Sequence, residues 1–482
     1  MSLKEKTLNG LIWSVIDSFA NQGVQFVAGI VLARLLSPRE FGLIGMITIF
    51  IAISQSFIDS GFSQALIRKN DCVQADYSTV FYFNLLIAIL CYLALFVSAG
   101  PISRFFKEPQ IQFILQVLGS ALIINALTIV QRTQLVKRID FKLQARISVI
   151  ASVGSGAIGI GMAFHEYGVW SLVVQSLSMA AFNSFFLWLW NGWRPAWLFD
   201  WDRFKVMFAF GSRLLISGLI DTSYRNIYLL VIGKYFSAVE LGYYTRACQF
   251  NDFPSQKITG VIQRVSYPVL VTIQNNPTQL KSSYKILIRS TMLISCVLMM
   301  GMAAVAEPMV LTLIGEKWRP SIIYLQLLCF VGMFYPLHAL NLNMLKVQGR
   351  SDLFLRLEII KKILAVPIII IGISLGIKAM IVGMMVNTLI AYYLNSYWSG
   401  RFIGYKMAEQ IRDILPSFML ACFTGSAAYL IGLFSAWTPA ITLIVQVAAG
   451  ALITVGMAEL LKMANYLYIK QMILSRFKGG KG

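Results

Sequence analysis

The chain is 482 residues long, with 57% hydrophobic and 13% charged residues and a mean hydropathy of +0.70, whereas a soluble domain is about 25% charged; too little charge remains to solvate a set of globules. Lysine and arginine number 41 against 21 acids, a net charge of +20, which in so apolar a chain reports basic loops beside anionic headgroups on one side of a bilayer, and not a nucleic-acid surface. The composition is that of a polytopic membrane protein.

A bilayer core of about 30 Å needs about 20 apolar residues per helix. That length predicts fourteen spans, at about 11–36, 41–66, 79–100, 110–130, 147–164, 168–190, 206–233, 241–271, 286–306, 321–345, 357–375, 377–397, 415–434 and 439–461. The first follows a polar start, Met1 to Gly10, and has no small-residue cleavage site, so a cleaved signal peptide is not expected. The eighth is strongly polar. No connection between spans is long enough to hold a soluble domain.

An even number of spans puts both termini on one side. Counted over the connections and adjoining helix ends, 28 Lys and Arg lie on that side, eight lie opposite and five fall within spans. The positive-inside rule then makes both termini cytoplasmic. The tail from Lys462 to Gly482 mixes Tyr, Leu and Ile with basic residues and is expected to lie on the inner membrane surface. Trp188, Trp190, Trp193 and Trp197 near the inner end of the sixth span read as an interfacial belt.

VLARLLSPREFGL at Val31–Leu43 and VIGKYFSAVELGY at Val231–Tyr243 align at an offset of 200 residues, with Arg34/Lys234, Ser37/Ser237, Glu40/Glu240 and Gly42/Gly242 in register. Six spans separate the copies, so both have the same orientation. The repeat predicts two parallel six-helix lobes, related by an axis along the membrane normal, around a central cavity. The N-terminal lobe covers 1–203 (helices 1–6) and the C-terminal lobe 204–405 (helices 7–12). Residues 406–482 add helices 13 and 14 and a basic cytoplasmic tail.

Signs of enzyme chemistry are few. The six cysteines stand singly, and His165 and His338 are far apart, so neither a metal centre nor another cofactor is expected and no catalytic residue is assigned. GSGAIG at Gly154–Gly159 fits a dinucleotide-binding pattern, but that pattern works only between a strand and a helix. Inside an apolar span its small residues serve close helix packing.

Ionisable residues within spans are the sharper signal, because each is unfavourable at the bilayer centre unless it faces a cavity or a partner. The first span carries Asp17, with Asn21 and Gln25 at i+4 spacings, and the second Gln55 and Asp59. The seventh places Arg213, Asp221 and Arg225 within an arc of about 120°. In the eighth, Arg246, Lys257 and Arg264 return to within about 20° of one face and form a ladder about 27 Å long, with Pro254 as a bend point. Asp252 is off that face. A surplus of positive charge across the membrane calls for water or an anionic guest. Asp17, Asp59 and Asp221 are ion-coupling candidates or structural partners of these arginines.

ARLLSPREFGLIGM at Ala33–Met46, IDSGFSQALIRK at Ile58–Lys69, YGVWSLVVQ at Tyr167–Gln175, IGKYFSAVELGYYTRA at Ile232–Ala247 and GEKWRPS at Gly315–Ser321 resemble the polysaccharide-transporter branch of the multidrug/oligosaccharidyl-lipid/polysaccharide exporter superfamily. These are the Wzx-type flippases, in particular the colanic-acid and succinoglycan exporter-like group. The resemblance covers residues 1–460. It implies flipping of undecaprenyl-pyrophosphate-linked oligosaccharide across a bacterial inner membrane by alternating access, for exopolysaccharide, capsule or O-antigen synthesis. Lipid-linked oligosaccharide and a polysaccharide polymerase with chain-length machinery are the implied partners, beside the anionic membrane lipids expected from the basic charge. Relatives often carry an Asp shortly before the string at Ile232, where this chain has Asn226, Ile227 and Tyr228, so a coupling role for that acid does not carry over. An ion-coupled drug or organic-solute antiporter of the same superfamily is the alternative, but the cationic eighth span would repel cationic cargo. A membrane-embedded glycosyltransferase or polymerase would need a sizeable external loop bearing acids or His.

Overall fold

The computed structural model describes residues 3–59, 61–69 and 71–478; the side chains of Asp17, Arg213, Lys257 and Arg264 lie outside the described residues. Those residues form α-helices joined by short connections: α1 (Leu3–Leu35), α2 (Pro38–Asp59), α3 (Phe62–Arg68), α4 (Gln74–Phe106), α5 (Gln110–Arg138), α6 (Phe141–Phe164), α7 (Val169–Trp190), α8 (Trp201–Tyr235) and α9 (Ala238–Thr272). There follow α10 (Pro277–Ala304), α11 (Ala306–Leu313), α12 (Ser321–Met333), α13 (Tyr335–Val347), α14 (Ser351–Leu375), α15 (Ile377–Ile403), α16 (Met407–Phe434), α17 (Pro439–Leu460) and α18 (Ala464–Lys478). Each predicted span coincides with a helix or a broken pair of helices. Among the described residues, ten stretches are long and apolar enough to cross a bilayer.

Two spans break. The second becomes α2 and α3 at Gly61, which takes a left-handed φ of 71°. The tenth becomes α12 and α13 at Phe334, two residues before Pro336, whose missing N–H interrupts the helical ladder.

The chain divides into two compact units, Met1–Gly242 and Tyr243–Gly482, with the boundary in the first turns of α9. In the first, α4 packs on α5, α6 on α1 and α7, α5 on α7, and α2 on α8. In the second, α10 packs on α12 and α16, α14 on α15, α12 and α13 on α15, and α16 on α17. The partnerships of the third span with the fourth, fifth with sixth and fourth with sixth therefore recur six spans later.

Glycines of GSGAIG are packing residues. A methyl at Gly154 would press on the Phe182 ring, at Gly156 on Ala28, and at Gly159 on Gln175, which is how α6 lies close against α1 and α7. The repeat glycines do the same more tightly. A methyl at Gly42 would enter the carbonyl of Ala238, and one at Gly242 the carbonyl of Pro38. Both pairs differ by the 200-residue offset. The first turns of α2 and α9 thus cross reciprocally, each glycine under the other helix's first residue. Ser37 N–H donates to the Glu40 carboxylate, and Glu240 N–H donates to Ser237 Oγ over 3.2 Å, so each Ser-x-x-Glu supplies part of a capping box.

Asp200 starts α8. Its Oδ1 accepts from the N–H groups of Asp202 and Arg203 at 3.0 and 3.1 Å, and its Oδ2 from Arg203 Nε at 2.8 Å. The backbone N–H of Arg203 foremost, with the Arg203 guanidinium and the Asp202 N–H, holds its pKa below the ordinary 3.8 against the opposing effect of desolvation. A depressed folded pKa means that the stabilisation is complete above the unfolded value and lost as pH falls through the folded one. Asp200→Asn, which keeps the cap without the titration, should therefore be less stable than wild type at pH 7. The gap should close between about pH 5 and 3, as thermal unfolding of the two proteins across that range will show.

Candidate functional site

Arg246 is on the third turn of α9 and only 7% exposed. Its guanidinium donates to Gln249 Oε1, one turn along, and lies 5.8 Å from the ring centre of Trp318, within cation–π range. Trp318 is fully buried in the short 3₁₀ turn after α11, with Tyr243 edge-on at 6.2 Å. The GEKWRPS string thus provides the aromatic wall of the Arg246 site, a link that sequence spacing does not reveal. A buried guanidinium on an aromatic face suits an anionic group.

Arg225 and Asp221 are one turn apart on α8 and paired at 2.8 Å, about half exposed. Asp59 ends α2 at the break before Gly61; it is exposed and accepts from Ser63 Oγ at 2.6 Å. Asp252 accepts from Asn251 Nδ2 at 3.4 Å. Of the path and coupling residues whose side chains are described, Asp59, Asp221, Arg225 and Arg246, the structure pairs Asp221 with Arg225.

Two carboxylate clusters were not anticipated. Asp76, with no exposed side-chain surface, accepts from Lys69 at 2.7 Å, Arg203 at 3.0 Å and Val73 N–H at 2.9 Å, tying the α3–α4 connection to α8. Lys137 on α5 reaches the same connection through Cys72 Sγ at 2.9 Å. In the second unit Asp413 on α16 accepts from Arg289, from Lys285 at 3.2 Å and from Tyr405 Oη at 2.7 Å. Glu409 takes Lys281 and Lys285 at 2.9 and 3.0 Å. A buried relay through Gln410, Asn341, Tyr284 and Ser399 continues from Tyr405. Glu409 and Asp413 lie between or beside Lys406 and Arg412 in sequence, whereas Asp76 has only Arg68 and Lys69 upstream and no basic residue after it before Arg104.

An all-α, multi-pass membrane protein with ionisable side chains on its spans is the class that the fold and these residues define. The chain belongs to the family described as polysaccharide biosynthesis protein, which matches residues 31–323. It is 25% identical over 468 residues to the teichuronic acid biosynthesis protein TuaB of Bacillus subtilis, covering 94% of this chain and 95% of that one. The lipopolysaccharide biosynthesis protein WzxC of Escherichia coli is 24% identical over 460 residues, covering 93% and 89%. Among solved structures, the lipid II flippase MurJ in an inward closed conformation superposes with a TM-score of 0.76 at 12% identity over 94% of this chain and 98% of that one. An inward-facing multidrug resistance MATE family transporter gives 0.63 at 14% identity, over 81% and 98%. The fold is the one these transporters share.

Proposed function

We propose that this protein flips a lipid-linked oligosaccharide from the inner to the outer leaflet of a bacterial inner membrane by alternating access, with both termini cytoplasmic and two parallel six-helix lobes flanking the path. The observation that carries this reading is the chain-long likeness to proteins named for teichuronic acid and lipopolysaccharide biosynthesis, joined by a likeness over 64% of this chain to the succinoglycan biosynthesis transport protein ExoT of Rhizobium meliloti. The intramembrane charge fits such cargo: a diphosphate needs cations along its route while its lipid tail stays in the bilayer. In this reading Arg246, Lys257 and Arg264 form the ladder, Arg213 and Arg225 add further cations, and Asp17, Asp59 and Asp221 balance charge or couple an ion. A polymerase and its chain-length machinery would take up the product.

Deletion of the gene should accumulate lipid-linked repeat units inside the cell, and a plasmid copy should clear them. Normal surface polysaccharide with no accumulation would reject the function. Within the ladder, Lys257→Arg should retain most export, Lys257→Gln should lose at least tenfold, and Lys257→Glu should lose nearly all at normal membrane abundance, because a cation facing anionic cargo in a low dielectric has no water to replace it. Recovery in Lys257→Gln/Asp252→Asn would instead make Lys257 a neutralising partner of Asp252.

A further inference from the structure

In the second unit a cavity of about 620 Å³ opens where α10, α16, α17 and α18 meet. Its lining carries Arg289, Arg412 and Lys462 with the carboxylate of Asp413 and the amide of Asn465 among them, and the rest is mainly apolar, including Met419, Phe423 and Leu461. Those three wall residues are 60%, 55% and 57% exposed. They lie over a small core of Leu293, Leu420, Ala458 and Met463.

The rim holds surplus positive charge. Arg289 is neutralised by Asp413, which also takes Lys285. Arg412 and Lys462 are exposed and have no ion pair among the described residues. Lys462 also sits at φ 47°, just after the end of α17, where Met463 N–H bonds back to Ala458 O. Glycine usually takes that left-handed position, since a side chain there is strained. A lysine kept in that conformation brings an ammonium to the rim.

A free anion would have no use for the apolar wall. A zwitterionic lipid would leave the two cations unbalanced. An anionic phospholipid satisfies both, with its phosphate among the cations and its acyl chains on the wall, in the arrangement by which basic pockets between membrane helices hold acidic headgroups. The neighbouring helix favours the same occupant: only 11% of the apolar window of α17 is buried within the protein, so acyl chains can follow it away from the rim. We propose that this cavity binds one anionic phospholipid, with Arg412 and Lys462 as its charge-recognising residues and α16 to α18 as its walls. The proposal does not depend on what the protein transports.

The test uses the purified full-length protein, delipidated in neutral detergent and titrated with phosphatidylglycerol, with bound lipid read by native mass spectrometry and stability by thermal unfolding. Phosphatidylglycerol should bind at one site and raise the unfolding midpoint. Phosphatidylcholine with the same chains, and glycerol phosphate alone, should do neither. With roughly a fivefold effect for each basic residue at an anionic headgroup, Arg412→Gln/Lys462→Gln should weaken binding about 25-fold. Arg412→Lys/Lys462→Arg should bind within about threefold of wild type. Equal binding of phosphatidylcholine, a full shift with glycerol phosphate, or unchanged phosphatidylglycerol binding by the doubly neutral variant would each overturn the assignment.

Discussion

Gly42→Ala is expected to be among the most damaging single-methyl changes in this protein. The added methyl enters the Ala238 carbonyl, and a backbone carbonyl in the first turn of a helix cannot rotate aside as a side chain can. Overpacking costs about 1–3 kcal/mol, and this contact belongs at the upper end, about 3 kcal/mol. Gly242→Ala should behave alike, because its methyl enters the Pro38 carbonyl of the same crossing. Once either methyl has splayed the crossing, the second has less to displace, so the double variant should lose less than the sum by about 1 kcal/mol or more. Gly301→Ala is the control: it lies within α10 with nothing beyond its own helical turn within 4 Å of an added methyl, and should be neutral or up to about 1 kcal/mol stabilising. Thermal unfolding in detergent and membrane abundance will decide; a Gly42→Ala protein as stable as wild type means that the helices do not cross this closely.

Asp413→Ala should be comparably severe. The carboxylate is 5% exposed and is shared by Arg289, Lys285 and Tyr405. Removing one partner of a buried pair costs about 3–5 kcal/mol, since the remaining charge is stranded. Arg289 and Lys285 are about 30% exposed and Lys285 keeps Glu409, so about 3 kcal/mol is expected. Tyr405, which is fully buried, also loses its acceptor. Asp413→Asn should be milder because an acceptor oxygen remains. Arg289→Met/Asp413→Leu should be more stable than Asp413→Ala, because apolar replacement of both partners leaves no stranded charge. If the double replacement is the worse of the two, the pair contributes net stability of its own.

Much of the fold was legible in the sequence. A membrane span is set by local composition over about 20 residues, so all fourteen predicted spans fall on helices, and ten stretches among the described residues are apolar enough to cross a bilayer; the polar eighth, in α9, is not one of the ten. Hydropathy missed the break at Phe334 because apolar residues continue on both sides of it, and the break at Gly61 because an average over about 20 residues passes over the short polar stretch from Asp59 to Gln64. The 200-residue repeat was visible as matched residue types. That Gly42 and Gly242 are matched because each lies under the other helix's first residue needed coordinates.

The candidate site divides in the same way. Sequence by itself determined that cations outnumber acids within the spans, that Arg225 and Asp221 are one helical turn apart, and that Gly154–Gly159 lies in an apolar helix, since these depend only on composition and on 3.6 residues per turn. Tertiary structure alone decided that Trp318 covers Arg246, that Asp76 gathers Lys69 and Arg203, and that Asp413 gathers Arg289, Lys285 and Tyr405. Those partners are separated by up to 127 residues, and helical periodicity fixes which face a side chain occupies without fixing which distant helix will meet it.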